Sequence, residues 1–298
     1  MGVPMVANLE RAGFEVQSYD LKGNGNRRSA RDAARGAEVL ITMLPDGEAV
    51  RDAVLDALPS LAPGSVVVDM SSSDPIGTRA LGVVLESNKV AFLDAPVSGA
   101  VVGAREGTLA IMVGGEESIF QKTKPVLQAM GKSIFHVGAL GAGHAVKALN
   151  NYLGAAGTLA GFEALIIAQA FEIDPRPMLD AINASTGKNS TTERKIARDI
   201  LTGAYASGFK LALMTKDVGI AANLARDVGV TTPYLKETLR LWREAKKTLA
   251  KDADHSEIYK YQAKLARQRS AGGRRKPAPS RAAASRRPKT RQPRRRST

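Results

Sequence analysis

Apolar residues in the first half of the chain fall in short runs separated by amphipathic stretches. The opening MGVPMVANLERAG has helical spacing, and FEVQSYD (14–20) reads as a strand. A Gly/Asn/Arg loop and a short helix around RSARDAARG follow. AEVLITML (37–44) predicts a second strand, ended by Pro45 and Gly47, and EAVRDAVLDAL a helix. The unit repeats as strand GSVVVDM, helix DPIGTRALGVVLES and strand VAFLDAPV. LAIMVGG and SIFHVG are further short strands, flanking a helix near SIFQKTKPVLQAM. Alternation of this kind predicts an α/β fold with a mostly parallel sheet covered on both faces. Ligands of such sheets bind beyond the carboxyl ends of the strands.

From about Gly143 the alternation stops. HAVKALNNYLGAAGTLAGFEALIIAQAFEI predicts one long helix, ended by Asp174-Pro175, in which Gly154, Gly157 and Gly161 suggest close helix packing. Helical patterns continue through RPMLDAINAS, TERKIARDILT, LALMTKDVGIAANLARDVG and PYLKETLRLWREAKK. An α/β half followed by an all-helical half predicts two domains, 1–142 and 143–263, with a cleft between them.

Charge adds a third region. Of 43 Lys and Arg, 14 lie from Lys264 onward without a single acid, so 29 basic residues face 29 acidic ones in the body. Residues 264–298 lack apolar periodicity and are rich in Arg, Pro, Ala and Ser, which predicts a disordered basic tail. It would hold nucleic acid or an acidic surface through phosphate contacts, or be a plain solvated appendage. The absence of interleaved aromatics argues against base recognition. The chain has no cysteine, which excludes disulfides, thiolate metal sites and cysteine nucleophiles. Three scattered histidines (His136, His144, His255) suggest no metal site. No uninterrupted apolar run reaches the roughly 20 residues that span a bilayer, and no signal peptide is visible. A cytoplasmic protein without membrane contact is expected.

Polar residues gather at the strand ends. Asp20 closes FEVQSYD, Leu44-Pro45-Asp46 follows the second strand, and Ser71, Ser72 and Ser73 follow VVVDM. An acid ending the second strand of a dinucleotide fold can bind ribose hydroxyls and repel a 2′-phosphate, so Asp20 favours NAD; it serves equally as a turn cap. Arg27 and Arg28 keep NADP open. In DAPVSGAVVGAREGTLAIMVGG (94–115), small residues Ser98, Gly99 and Gly103 would let backbone N–H groups approach a carboxylate; read alone, the stretch is a glycine-rich loop between strands. In GALGAGHAVKALNNYLGAAG (138–157), a glycine-rich turn feeds a helix bearing Lys147 and Asn151 on one face. A lysine desolvated there would have a lowered pKa suited to general acid/base work; otherwise it is a snorkelling surface lysine.

These two stretches resemble the signatures of the β-hydroxyacid dehydrogenases, the family of 3-hydroxyisobutyrate dehydrogenase and tartronate semialdehyde reductase. DAPVSG with GTL matches the substrate signature, and G-x-G-x-x-x-K-x-x-N-N the catalytic one. MG-x-PM-x-x-NL, TMLP (42–45), VDMSS (68–72), Phe209 and Lys216-Asp217 support them, and the resemblance covers roughly residues 1–262. It implies a Rossmann-type nucleotide-binding domain, a long interdomain helix and a helical domain that builds dimers or tetramers. It implies NAD or NADP as cofactor and hydride transfer from a small 3-hydroxy acid, giving the semialdehyde. Lys147 would be the acid/base, Asn151 would orient the substrate, and Ser98 with Gly99 would bind its carboxylate. Ser72 would lie near nicotinamide and substrate. Phe209, Lys216 and Asp217 would close the cleft, Lys216 beside the cofactor. Leu44 and Pro45 would pack at the adenosine side.

In the family a strand and a G-x-G precede Met1 and Gly2, which makes these two cofactor-binding positions and predicts a truncated or mis-assigned start. Two alternatives accompany this reading. One is a reductase of tartronate semialdehyde or a related 2-hydroxy-3-oxo acid. The other is a non-catalytic homologue tethered to nucleic acid by its tail.

Overall fold

The structure, a computed structural model, describes the backbone of residues 1–272 and the side chains of 1–267. Helix α1 (Gly2–Arg11) opens the chain and sets Met5 and Leu9 against the sheet. After it come α2 (Ala30–Ala33), β1 (Val39–Thr42), α3 (Gly47–Ala57), β2 (Val66–Asp69), α4 (Pro75–Ser87) and β3 (Ala91–Asp94). Acids placed just before the helices explain where they begin. Asp46 caps α3 by accepting from Ala49 N–H at 3.0 Å, and Asp74 caps α4 through Gly77 N–H at 2.8 Å, with Pro75 at the first position.

β1, β2 and β3 pair in parallel. Beyond them lie β4 (Val97–Ser98), α5 (Ala100–Glu106), β5 (Leu109–Gly114), α6 (Glu117–Gln128) and β6 (Gly131–Gly138). β5 runs antiparallel to β3 and β4 and parallel to β6. Every residue of β2 is buried, because helices cover both faces of the sheet. Alternate side chains serve opposite layers: Val66 and Val68 pack with Met5 and Leu93, Val67 with Val54 and Leu85.

Two expectations fail in this half. FEVQSYD is not a strand. Among the described residues no strand lies alongside it, and its backbone turns to a loop instead, Ser18 O accepting from Asn26 and Arg27 N–H, each at 2.9 Å. β1 is consequently an edge, paired with β2 alone among the described residues. The stretch after Ser98 is not an open glycine loop: residues Ala100–Glu106 form α5, and Gly103 N–H donates to Gly99 O at 2.9 Å. That amide is spoken for, so Gly103 offers nothing to an anion.

The second half is helical, as its pattern predicts. The 29-residue α7 (Ala142–Ala170) leads to α8 (Pro175–Asn183), a π-helix (Thr191–Ile200), α9 (Leu211–Asp227), α10 (Pro233–Thr248) and α11 (Ile258–Gly272). Phe162, Leu165, Ile196, Trp242 and Ile258 form its core. By length and composition α7 could cross a membrane. Here it is the central strut, packed on β5 and β6 at one end and on α9, α10 and α11 along its length. Of its glycines, Gly161 faces Thr191 so closely that a Cβ would lie 3.2 Å from the Thr191 methyl, whereas Gly154 faces open space. α11 carries helix past Lys264 to Gly272, through the start of the expected tail; residues 273–298 lie outside the described residues.

Candidate active site

The carboxyl ends of β1, β2 and β3 are braced by a buried polar layer. Asp69 accepts from Thr42 Oγ1 at 2.8 Å, Ser71 N–H at 2.9 Å and Ser73 Oγ at 2.7 Å. Ser71 Oγ in turn accepts from Leu44 N–H at 2.9 Å. One carboxylate thus shapes both strand-end loops, the one holding Leu44 and Pro45 and the one holding Ser72.

Asp94 ties the sheet to α7. Its two oxygens accept from Gly141 N–H and His144 N–H, each at 2.7 Å, where the partial positive charge of the helix start favours a carboxylate. His144 Nδ1 lies 2.8 Å from Thr78 Oγ1, linking the same turn to α4. The approach is so close that a Cβ on Gly143 would overlap Met112 O and stand 2.7 Å from Asp94 O. The glycines of G-x-G-x-x-x-K therefore let a helix end sit directly on strand ends. The sequence offered Asp94 only as the first letter of a motif, and Asp69 only as the second letter of VDMSS.

Lys147 follows His144 by three residues and is buried, as is Asn151 one turn further on. Asn151 Nδ2 donates to Asp217 Oδ2 at 2.7 Å, which brings α9 onto α7. Burial holds the Lys147 amine below the ordinary lysine range; Asp217 opposes the shift and Lys216 adds to it. Burial likewise pushes the Asp217 carboxyl up, against the pull of Lys216, the Asn151 hydrogen bond and Lys147. Two groups of opposite charge thus lie buried near each other, each with its charged form disfavoured by desolvation.

Lys216 crosses between the halves. Its Nζ donates to Pro45 O at 2.9 Å and Ser72 O at 2.8 Å and stands 3.4 Å from Asp217 Oδ1. Three of the expected residues, Asn151, Lys216 and Asp217, are joined this way, with Pro45 and Ser72 at the edge and Lys147 within the electrostatic reach of Lys216 and Asp217. Ser98 pairs with Ala110 in the β4–β5 ladder, and Gly99 turns with φ +133. Phe209 sits half-buried ahead of α9, fixed by residues 254 and 255. Asp20 is exposed, and its Oδ1 accepts from Lys22 N–H at 2.7 Å in a local turn. Met1 and Gly2 stand at the start of α1, whose first turn has no side-chain cap.

A dinucleotide fits this arrangement. The uncapped start of α1 leaves N–H groups for phosphate, and the Lys216 ammonium lies at the strand ends where such ligands bind. An α/β nucleotide-binding half joined to a helical half by a helix carrying a buried lysine defines a nicotinamide-dependent oxidoreductase. The comparisons specify which. Residues 1–138 match the NAD binding domain of 6-phosphogluconate dehydrogenase, and residues 141–262 the NAD-binding region of NADP-dependent 3-hydroxyisobutyrate dehydrogenase. A probable 3-hydroxyisobutyrate dehydrogenase of Mycobacterium tuberculosis is 36% identical over 249 residues, 78% of this chain and 85% of that protein. An NAD-dependent L-serine dehydrogenase of Pseudomonas aeruginosa is 34% identical over 284 residues, 87% of this chain and 94% of the relative. Among solved structures, the M. tuberculosis 3-hydroxyisobutyrate dehydrogenase with L-serine superposes with a TM-score of 0.82 at 34% identity, covering 88% of this chain and 95% of that one. The chain belongs to the β-hydroxyacid dehydrogenase family, and is an NAD(P)-dependent hydroxyacid oxidoreductase.

Proposed function

We propose that the substrate is a small 3-hydroxy carboxylate, oxidised to its semialdehyde with Lys147 as the proton acceptor. The observation that carries this is the burial of Lys147 beside the Asn151–Asp217 pair, facing the strand ends that Lys216 bridges. 3-Hydroxyisobutyrate and L-serine, named for the relatives, both carry a primary hydroxyl two bonds from the carbon that bears the carboxylate. The bound nicotinamide supplies the hydride acceptor. Lys147, its pKa lowered by desolvation, takes the hydroxyl proton. Asn151, its amide fixed by Asp217, orients the substrate, and Ser98 with Gly99 receives the carboxylate. Ser72 borders the nicotinamide and substrate. Phe209, Lys216 and Asp217 close the cleft, with Lys216 beside the cofactor. Met1, Gly2, Leu44 and Pro45 line its phosphate and adenosine side. Asp20 favours NAD over NADP by its charge.

In this reading the nucleotide-binding domain ends at 142/143, the helical domain continues along α11 past the expected boundary at 263/264, and the chain works as a homodimer or homotetramer. α7 supports the assembly by leaving Leu149, Leu153, Ile167 and Phe171 exposed at helical spacing, Phe171 to 79%.

The test is absorbance at 340 nm with NAD⁺ and NADP⁺ against 3-hydroxyisobutyrate, L-serine and 2-hydroxy acids. Turnover of a 3-hydroxy acid that falls about 100-fold or more in Lys147→Ala is expected. Turnover of 2-hydroxy acids alone, or a Lys147→Ala variant of normal rate, overturns the reading.

A further inference from the structure

α9 carries Lys216 and Asp217 but begins without a side-chain cap, Lys210 at its N-cap making no such bond. The loop before it turns at Gly208, φ +85, and takes its fastenings from a distant stretch of chain, residues 253–257. Asp254 Oδ1 accepts from Ser207 Oγ at 2.6 Å. Its Oδ2 accepts from Gly208 N–H at 2.9 Å and Phe209 N–H at 3.3 Å. From the same stretch, His255 N–H donates to Phe209 O at 2.8 Å, and Ala253 O accepts from Leu211 N–H at 2.9 Å. Both backbone polar groups of Phe209 are engaged, and its ring meets the His255 imidazole edge-on with centroids 5.9 Å apart.

The clamp is itself rigid. Asp254 N–H donates to Glu257 Oε1 at 3.1 Å and Ser256 N–H to Asp254 Oδ1 at 2.9 Å, a reciprocal capping box at the turn that starts α11. Desolvation works against the Asp254 carboxylate, but the bonds from Ser207 and Ser256 outweigh it and hold the group below its usual range. With Ser256 Oγ also donating to Oδ1 at 2.6 Å, five donors converge on one carboxylate, two from the neighbouring Ser256 and three from the distant Ser207, Gly208 and Phe209.

We propose that Asp254 is a positioning residue of the active site. By holding Ser207, Gly208 and Phe209 it places Phe209 and the start of α9, and so sets the reach of Lys216 to Pro45 and Ser72 and of Asp217 to Asn151. Lys216 and Asp217 follow Leu211 by less than two helical turns, roughly 8–9 Å of axis. Over that length a helix moves as a rod, so a displacement at its start reappears at the working side chains. A misplacement of about 1 Å can cost about 100-fold in rate. This inference rests on the reading of Phe209, Lys216 and Asp217 as active-site residues.

The full chain is made as Asp254→Asn and Ser207→Ala, each alone and with Lys216→Met. At saturating cofactor, Asp254→Asn lowers kcat/KM for the 3-hydroxy acid about tenfold and Ser207→Ala about twofold to threefold, while Ser207→Thr, which keeps the hydroxyl, retains the parent value. In the Lys216→Met background the losses shrink to the part that acts through Asp217 and Phe209, because residues acting through one another are not additive. Equal fold-losses in both backgrounds overturn the proposal, and Ser207→Ala carries the comparison if Asp254→Asn does not fold. Hydrogen exchange reads the same link without turnover: exchange at 208–217 rises in the Asp254 or Ser207 variant, and unchanged exchange there overturns the proposal. A parent protein inactive on every 3-hydroxy acid, with exchange altered as expected, sinks the functional reading and leaves the clamp standing.

Discussion

Asn151 and Asp217 meet across 2.7 Å between the two longest helices of the second half, one carrying Lys147 and the other Lys216. The contact does two things at once. It fixes the Asn151 amide, and it brings a buried carboxylate close enough to act on the charge of Lys147.

The sign of that influence is testable. Asp217 favours the charged form of Lys147, so Asp217→Asn lowers the Lys147 pKa further; Lys216 disfavours it, so Lys216→Met raises it. Alcohol oxidation needs the neutral amine, and its kcat climbs as pH rises through that pKa. The acid limb of the kcat–pH profile therefore moves to lower pH in Asp217→Asn and to higher pH in Lys216→Met. Movement of both limbs in one direction would show that another group governs proton removal.

Gly143 tests the close seating of α7 on the sheet. A methyl group there would overlap Met112 O and approach Asp94 O at 2.7 Å and Asp94 Oδ2 at 2.9 Å. Two of those three atoms are backbone, so no rotamer change makes room and the helix start must lift. Gly143→Ala is expected to cost about 1–3 kcal/mol of stability and to reduce kcat at least about tenfold by displacing Lys147. Urea melts and steady-state rates measure both. Full activity in a stably folded Gly143→Ala would mean that the Asp94 bonds to Gly141 and His144 do not fix the lysine.

Assembly gives a third test. Leu153 and Ile167, each 68% exposed, stand two heptads, about four helical turns, apart on the open side of α7. Leu153→Glu with Ile167→Glu places charge in that stripe while touching none of the buried residues of the helix. Light scattering on the parent should give a multiple of 31.5 kDa and on the variant a lower mass. An unchanged mass would place the subunit contact elsewhere.

Much of this was legible in the chain itself, for identifiable reasons. The three valines of VVVD are apolar on both faces because their strand is covered on both, so the stretch could be read as a strand of a doubly covered sheet. Lys147 and Asn151 stand four apart on a helix, a relation fixed by local geometry alone. FEVQSYD has strand composition, but a strand also needs a neighbour, and the loop at Asn26 and Arg27 took its hydrogen bonds. Composition could not report that. AVVGARE looked like a loop because of its flanking glycines, although Gly99 and Gly107 in fact turn the chain into and out of α5. The fastening of Phe209 by Asp254 depends on residues 45 apart, and no local pattern encodes it.

His255 offers the last test, through stability. Its ring is buried and its Nε2 has no hydrogen-bond partner among the described residues. Desolvation, reinforced by Lys195 and opposed by Asp254, holds its pKa down to about 4. In the unfolded chain the group returns to about 6.5, so between about pH 6.5 and pH 4 the unfolded state binds the extra proton. This contribution is fully present above pH 6.5 and drains away as pH falls, by up to about 1.4 kcal/mol per pH unit. Asp254, with its carboxyl held below the usual range, loses its own contribution only at lower pH, and Asp217, pushed up by burial, acts with the opposite sign, so the comparison of parent with a His255 variant isolates the share of the imidazole. Melting temperatures of the parent should decline from pH 6.5 to 4, and His255→Gln should flatten that slope even if its melting temperature at pH 7 is lower. A variant that keeps the parent slope would show that the imidazole is protonated in the folded protein, and that Phe209 rests against a charged ring instead of a neutral one.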